Sequence, residues 1–323
     1  MEGRKIVTIA HRPPTRSALP VAYRWAIPIL AAVVLLAGCA AAGSRSPEGS
    51  SGAATSVPAT TSTSVPTAEA TATPDLASPV GIIAMGHSGL TGEGTAGLSH
   101  VAFENSWATG TSPAVNSIYL RLTVARPETQ GHVANTASGG APASLLKEQT
   151  QRALRMVPVP ALAIISTLDN DIRCDGTDPD HVSQFGAFVA TALDMISKAS
   201  PNAQILVIGQ LGRPSPAFVE ALVAADPTAK ASMTGAGICD FYDPAGNLVE
   251  KNFETLTGII DAYEAEQARV CALVLNCHTD DGARAAYVDR LENFGIDMSH
   301  LNVAGQAAEA ENLWPVVARV LGL

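Results

Sequence analysis

Short apolar runs alternating with amphipathic stretches of helical length predict an α/β domain. A mainly parallel five-stranded sheet carries helices on both faces, giving three layers, α/β/α. Composition agrees: 47% of the 323 residues are hydrophobic and 15% charged, with 27 Gly and 21 Pro. Such a profile excludes a coiled coil, a collagen-like repeat and a disordered regulator. No internal repeat is present.

The strands are expected at 81–85 (GIIAM), 132–137 (HVANTA), 161–167 (ALAIIST), 205–209 (ILVIG) and, more weakly, 272–276 (ALVLN), each short, apolar and followed by turn residues. Helical patterns fall between and after them at 114–125, 143–156, 181–199, 216–225, 253–270 and 303–321, the last two rich in Ala, Glu and Leu. In open parallel sheets ligands bind beyond the carboxyl ends of the strands, so the residues just after each strand are the first candidates for chemistry.

The N-terminal residues read differently. Arg4, Lys5, Arg12, Arg16 and Arg24 precede an apolar run at 25–37 that Pro28 interrupts. That run is too short to span ~30 Å of hydrocarbon comfortably and reads as the core of a signal peptide. Leu36-Ala37-Gly38-Cys39 is similar to a bacterial lipobox. Residues 1–38 are therefore expected to be a lipoprotein signal peptide and Cys39 the lipidation site, anchoring the protein to the cell membrane on its extracytoplasmic side. Residues 39–78 are almost entirely Ala, Ser, Thr, Pro and Gly. They lack the apolar bulk to order themselves and read as a disordered tether, a plain spacer or a glycosylated stalk. The folded domain is expected at 79–323.

Net charge is −10, and the first 38 residues hold five basic side chains against Glu2, so 15 basic and 29 acidic side chains remain beyond them, a net −14. A phosphate-binding surface needs the opposite sign, which excludes nucleic acid as a partner.

Four segments carry candidate chemistry. After the first strand, Gly86-His87-Ser88-Gly89 presents a hydroxyl in a glycine-rich turn that is neither GxxxxGK[ST] nor GxGxxG. The second strand leads into Asn135-Thr136-Ala137-Ser138-Gly139-Gly140, the third into Leu168-Asp169-Asn170-Asp171, and Asp297-Met298-Ser299-His300 precedes Leu301-Asn302-Val303-Ala304-Gly305 and the last helix. In this order they resemble the SGNH (GDSL-type) hydrolases across about 81–320. The resemblance implies a flavodoxin-like fold and hydrolysis of carboxylic esters through an acyl-enzyme. It implies Ser88 as nucleophile, His300 as base and Asp297 as its orienting partner, with Ser88, Gly139 and Asn170 forming the oxyanion hole. Two positions depart from the family pattern: His87 stands where it has Asp, and Leu168 where its third block opens with Gly.

The chemistry needs these types together. A serine hydroxyl is a weak nucleophile until neutral imidazole takes its proton, and the imidazolium then needs a fixed tautomer and a counter-charge. The developing oxyanion needs aimed donors. The same residues would serve O-acyl transfer to a sugar or lipid hydroxyl, and the two departures leave open a non-catalytic binding lipoprotein on this fold. His87 adjoins Ser88 and is expected to bond within its own loop, to a backbone carbonyl or Asn170, rather than act as the base.

Asp169, Asp171, Asp175, Asp178 and Asp180 resemble a calcium loop, but Arg173 occupies a ligand slot, so they are expected only to solvate a loop. His100, His132, His181 and His278 lack metal-ligand spacing, and no metal or cofactor is expected. The partners expected are an acyl-ester substrate and the membrane, the protein itself being a monomer. Cys174, Cys239, Cys271 and Cys277, an even number in an exported domain, indicate disulfides with three possible pairings. Resemblance to secreted relatives implies Cys174–Cys239 and Cys271–Cys277. The second pair conflicts with a strand at 272–276, since six extended residues span ~20 Å, beyond disulfide reach.

Overall fold

The computed structural model describes residues 78–97 and 100–323. The expected signal peptide at 1–38, Cys39 and nearly all of the expected tether lie outside the described residues.

Five strands form one sheet in the order β2-β1-β3-β4-β5, and every neighbouring pair is parallel. They are β1 (Ile82–Gly86), β2 (Val133–Asn135), β3 (Leu162–Ser166), β4 (Gln204–Ile208) and β5 (Cys277–Thr279). The order is that of a flavodoxin-like doubly wound sheet. The helices are α1 (Ile118–Ala125), α2 (Leu146–Met156), α3 (Asp178–Ala199), α4 (Pro216–Ala225), α5 (Ala229–Ser232), α6 (Glu250–Cys271) and α7 (Val303–Leu321).

Every residue of β1 and β3 is buried, as strands covered on both faces require. Side chains alternate between the layers. Ile83, Met85, Ala163, Ile165, Ile205 and Val207 pack against α2, α3 and α6, through Leu146, Phe185, Val189 and Ile260 among others. Ile82, Ala84, Leu162, Ile164, Leu206 and Ile208 pack on the other face against Ile118 and Leu122 of α1 and Leu313 and Val317 of α7. Each such Ile, Leu, Val or Met side chain contributes ~1.5–3 kcal/mol by leaving water, so this double core holds the sheet.

The fifth strand differs from its expected place. Residues 272–276 continue out of α6 as a turn, and Leu273 and Leu275 are 76% and 95% exposed. The disulfide Cys271–Cys277 brings the two Cα atoms to 5.3 Å, which an extended chain of that length forbids. The strand therefore begins at Cys277, and the apolar look of ALVLN belongs to a solvent-facing turn. Cys174–Cys239 is the other disulfide, joining the loop after β3 to the segment before α6. Bridges of this kind persist in oxidising compartments outside the cytosol. Helix α1 starts four residues later than expected because Ser117 caps it, its side chain accepting from the Leu120 N–H. Among the described residues no helix is long and apolar enough to cross a membrane.

Candidate active site

In a sheet ordered 2-1-3-4-5 the direction of winding reverses between β1 and β3, and the crevice beyond their carboxyl ends is the place where ligands lodge. Ser88 leaves β1 there and Asn170 leaves β3. Gly86, the last residue of β1, pairs with Ser166 of β3 at φ +143°, and a Cβ on it would run into the Ser166 carbonyl. Only glycine lets the chain turn so close to its neighbour. The turn is held by the His87 N–H, which donates to the Ser166 carbonyl at 3.1 Å. Gln149 of α2 clamps Gly86 from the other side, its Oε1 accepting from the Gly86 N–H at 2.8 Å and its Nε2 donating to the Gly86 carbonyl at 2.9 Å.

Ser88, His300 and Asp297 come together. Ser88 Oγ lies 2.9 Å from His300 Nε2, and His300 Nδ1 lies 2.9 Å from Asp297 Oδ2. A carboxylate can only accept, so Nδ1 carries the proton and Nε2 is left to accept from the serine hydroxyl. Asp297 Oδ1 accepts from the Ser299 and His300 N–H groups at 3.0 Å each, and Met298, which follows Asp297 directly, takes φ +53°. Asn302 caps α7 by accepting from the Gly305 N–H, while its Nδ2 donates to the Glu292 and Phe294 carbonyls. The Leu-Asn-x-x-Gly run after His300 is thus the clasp that fixes the acid–base segment to its helix.

Burial works to raise the Asp297 carboxyl, but hydrogen bonds from the His300 side chain and backbone and from Ser299 outweigh it, and its pKa falls below the usual carboxylate value. Burial likewise works to lower His300. The hydrogen bond and charge of Asp297, with Glu93 and Asp169 adding to them, prevail, and the imidazole is shifted upward.

The N–H groups of Ser88 and Gly139 donate to no group among the described residues. Asn170 Nδ2 donates to the Ala141 carbonyl at 3.2 Å, and its second hydrogen meets no acceptor among the described residues. Leu168 adopts φ +119°, a conformation that favours glycine, and remains fully buried. The departure from the family pattern at this position is therefore met by a strained leucine held by packing, at a cost of about 1–3 kcal/mol. Asp171 Oδ2 accepts from the Ala143 N–H at 2.9 Å, joining the loops after β2 and β3; burial pushes this carboxyl up to about 6, against that bond and helped by Asp169.

His87 bonds within its loop, though not to a carbonyl or to Asn170. Its Nδ1 accepts from the Gly89 N–H at 3.1 Å, and its Nε2 faces Ser166 Oγ at 3.5 Å and Asp169 Oδ1 at 3.7 Å. Burial lowers its pKa despite Asp169, so the neutral form is favoured. With both nitrogens engaged elsewhere, His87 braces the nucleophile turn. His87→Ala is expected to lower kcat by a factor of about 2–10, equivalent to one hydrogen bond of ~0.5–1.5 kcal/mol, in an assay beside His300→Ala on one ester at one pH. A collapse at His87 with activity retained at His300 would reverse the two roles.

The acidic residues after β3 do more than solvate a loop. Asp178, only 2% exposed, accepts from the Arg173 and Cys174 N–H groups at 2.8 and 2.9 Å, and Asp175 accepts from the Thr177 N–H and hydroxyl. They organise the turn into α3. Among the described residues no group of acidic, His or Cys side chains is arranged to hold a metal.

Several supporting residues gave no motif in the sequence. Gln149 is a buried polar side chain on the core face of α2, and a glutamine in that periodic slot was the available signal. Arg284 donates to Ser166 Oγ at 3.1 Å and the Gly209 carbonyl at 2.8 Å, and its Nε lies 2.6 Å from Glu309 Oε1 of α7. Both side chains of this pair are buried. No local pattern connects two residues that far apart in the chain.

The chain matches no family model and no curated protein. Among solved structures it is similar to an extracellular lipase from Streptomyces rimosus at 17% identity and TM-score 0.43, over 75% of this chain and 100% of that one. Phospholipase A1 from Streptomyces albidoflavus NA297 is similar at 15% identity and TM-score 0.43, over 75% and 99% of the two chains. An acetyl xylan esterase from Butyrivibrio proteoclasticus is similar at 14% identity and TM-score 0.44, over 76% and 65%. What the site can do follows from its own geometry.

Proposed function

We propose that this protein is a serine esterase of the SGNH kind, cleaving carboxylic esters through an acyl-enzyme on Ser88. The observation that carries this reading is the unbroken line of 2.9 Å contacts from Ser88 through His300 to Asp297, at the switch point of the sheet. In the forward step His300 Nε2 takes the hydroxyl proton as Ser88 Oγ bonds to the ester carbonyl carbon. The imidazolium then returns that proton to the departing alkoxide as the C–O bond breaks. Water, activated by the same histidine, releases the acid and restores Ser88. The free N–H groups of Ser88 and Gly139 and the free Nδ2 hydrogen of Asn170 are the donors available to the oxyanion. A fluorophosphonate should label the protein once, at Ser88 by peptide mapping, and labelling of another residue would move the nucleophile.

Activity should depend on pH with a defined sign. The base is neutral His300, and its pKa is raised in the fold. Activity is therefore full above that raised value and lost as pH falls through it, placing the acid limb of kcat/KM above the ~6.5 of free imidazole. Asp297→Asn should move the limb downward and cost less than His300→Ala, because it removes orientation and charge but leaves the base. Equal losses in the two variants would mean that the proton-transfer role is misassigned.

We further propose that the mature chain is lipid-anchored at Cys39 and carried on the outer side of the cell membrane by a tether reaching to the start of the described domain. A diacylglyceryl group supplies the two chains that stable anchoring requires. Mass spectrometry of the membrane-extracted protein should find the lipid on an N-terminal Cys39, and Cys39→Ser should release the protein. An unmodified residue there in membrane-bound protein would end this reading.

A further inference from the structure

Taking the esterase reading as a base, we infer that Glu93 is a specificity-determining residue that accepts a hydrogen bond from a hydroxyl or ammonium group carried by the substrate close to its scissile carbonyl. Glu93 Oε2 is shut off from solvent and has no hydrogen-bond partner among the described residues. A carboxylate oxygen left in that state carries a desolvation cost that a donor would relieve.

Its position is fixed by the backbone. Gly92 and Gly94 flank it at φ +67° and +89°, and the Glu93 N–H donates to Thr91 Oγ1 at 3.3 Å. The Gly94 backbone lies so near the base that a Cβ there would stand 2.7 Å from the His300 Cβ. Glu93 is thus tied to the acid–base segment through its neighbour. Its carboxylate faces Gly139, where a Cβ would stand 3.0 Å from Oε2, and its charge favours the His300 imidazolium. The carboxylate borders both a proposed oxyanion donor and the proposed base, where the groups flanking a bound ester carbonyl must lie.

A negative charge beside a developing oxyanion opposes it. An ester with only alkyl groups meets that opposition in full. An ester bearing a donor next to the carbonyl engages the carboxylate, disperses its charge and gains a bond to a charged acceptor, which is the stronger kind. Four other polar side chains of the site have hydrogen-bond partners: Gln149 on Gly86, Asn170 on Ala141, Asp297 on His300 and Asp171 on Ala143. Among the described residues of the site, Glu93 is half-buried, and its Oε2 is the carboxylate oxygen that is shut off from solvent without a hydrogen-bond partner.

The test compares ethyl butyrate with 2-hydroxyethyl butyrate, ethyl 3-hydroxybutyrate and ethyl 3-aminobutyrate, followed by pH-stat with the full chain and its E93Q and E93A variants. Neither substitution orphans a partner, and equal Tm values will show that the fold is kept. The wild type is expected to favour at least one donor-bearing ester over ethyl butyrate by about tenfold or more in kcat/KM, the factor of one hydrogen bond to a charged group. E93A should erase that preference. A preference that E93Q keeps identifies a hydroxyl donor, since an amide oxygen still accepts, and one that E93Q loses identifies the ammonium. Equal rates on all four esters in the wild type, or a preference that survives E93A, overturns the role. A uniform fall in E93A with a lowered acid limb in the pH profile assigns Glu93 to supporting His300 and overturns it as well. No hydrolysis of any of the four by the wild type removes the esterase reading itself, which is a separate failure.

Discussion

Ser88→Ala should abolish ester hydrolysis, lowering kcat on the order of 10⁴- to 10⁶-fold, and should leave the fold intact. The size follows from the way triad members act as a unit, so that loss of the nucleophile removes the covalent route and leaves only binding and oxyanion stabilisation. The fold survives because the Ser88 side chain is only half-buried and its Oγ makes a single hydrogen bond among the described residues, to His300. Its backbone carbonyl, which accepts from the Thr91 N–H and hydroxyl, is untouched by the substitution. Thermal unfolding within a degree or two of the wild type, together with loss of both turnover and fluorophosphonate labelling, is the expected result. Hydrolysis near the wild-type rate in folded protein would place the chemistry elsewhere.

Arg284→Met should be the most destabilising of the substitutions considered, costing about 3–5 kcal/mol, as breaking one side of a buried ion pair does. For a domain of this size that is a fall in Tm of roughly 10 °C. Three groups lose a partner at once: the Glu309 carboxylate, which is 0% exposed, Ser166 Oγ and the Gly209 carbonyl. The sign of the pH dependence is fixed. Burial already pushes the Glu309 carboxyl upward while Arg284 holds it down, so removing Arg284 lets it rise further. A carboxyl with a raised folded pKa favours the folded state at low pH, and the deficit should shrink as pH falls and grow as it rises. The double variant Arg284→Met, Glu309→Leu should recover part of the loss, because no uncompensated charge remains. A double variant no better than the single one would show that the bonds to Ser166 and Gly209, rather than the charge, carry the cost. Ester hydrolysis should fall in the single variant too, since Ser166 stands between Arg284 and the His87 that braces the nucleophile turn.

The sequence by itself determined the local part of this protein. Runs such as IIAM and LAIIS are short, apolar, rich in Ile and closed by turn residues, and their length and flanks favour strands covered on both faces. Helix α7 was legible to both of its ends, because Asn302 caps one and Gly322, at φ +65°, closes the other. The chemical character of the segments after β1, β2 and β3 was legible as well, since it lies in residue types at fixed spacing. Only the tertiary structure decided what those segments meet. Ser88 and His300 are 212 residues apart, and their 2.9 Å contact depends on β1 taking a central place in the sheet and on α7 packing against its face. The apolar turn at 272–276 deceived because hydrophobicity alone cannot tell a strand from a loop that a disulfide closes. Gln149 was legible only as a polar residue in a core-facing slot, and Arg284, Glu309 and Glu93 gave no signal of their roles, because a polar side chain acquires meaning from the groups that surround it after folding. Periodicity records which face of an element is buried; it carries no record of which buried groups from distant elements will stand opposite one another.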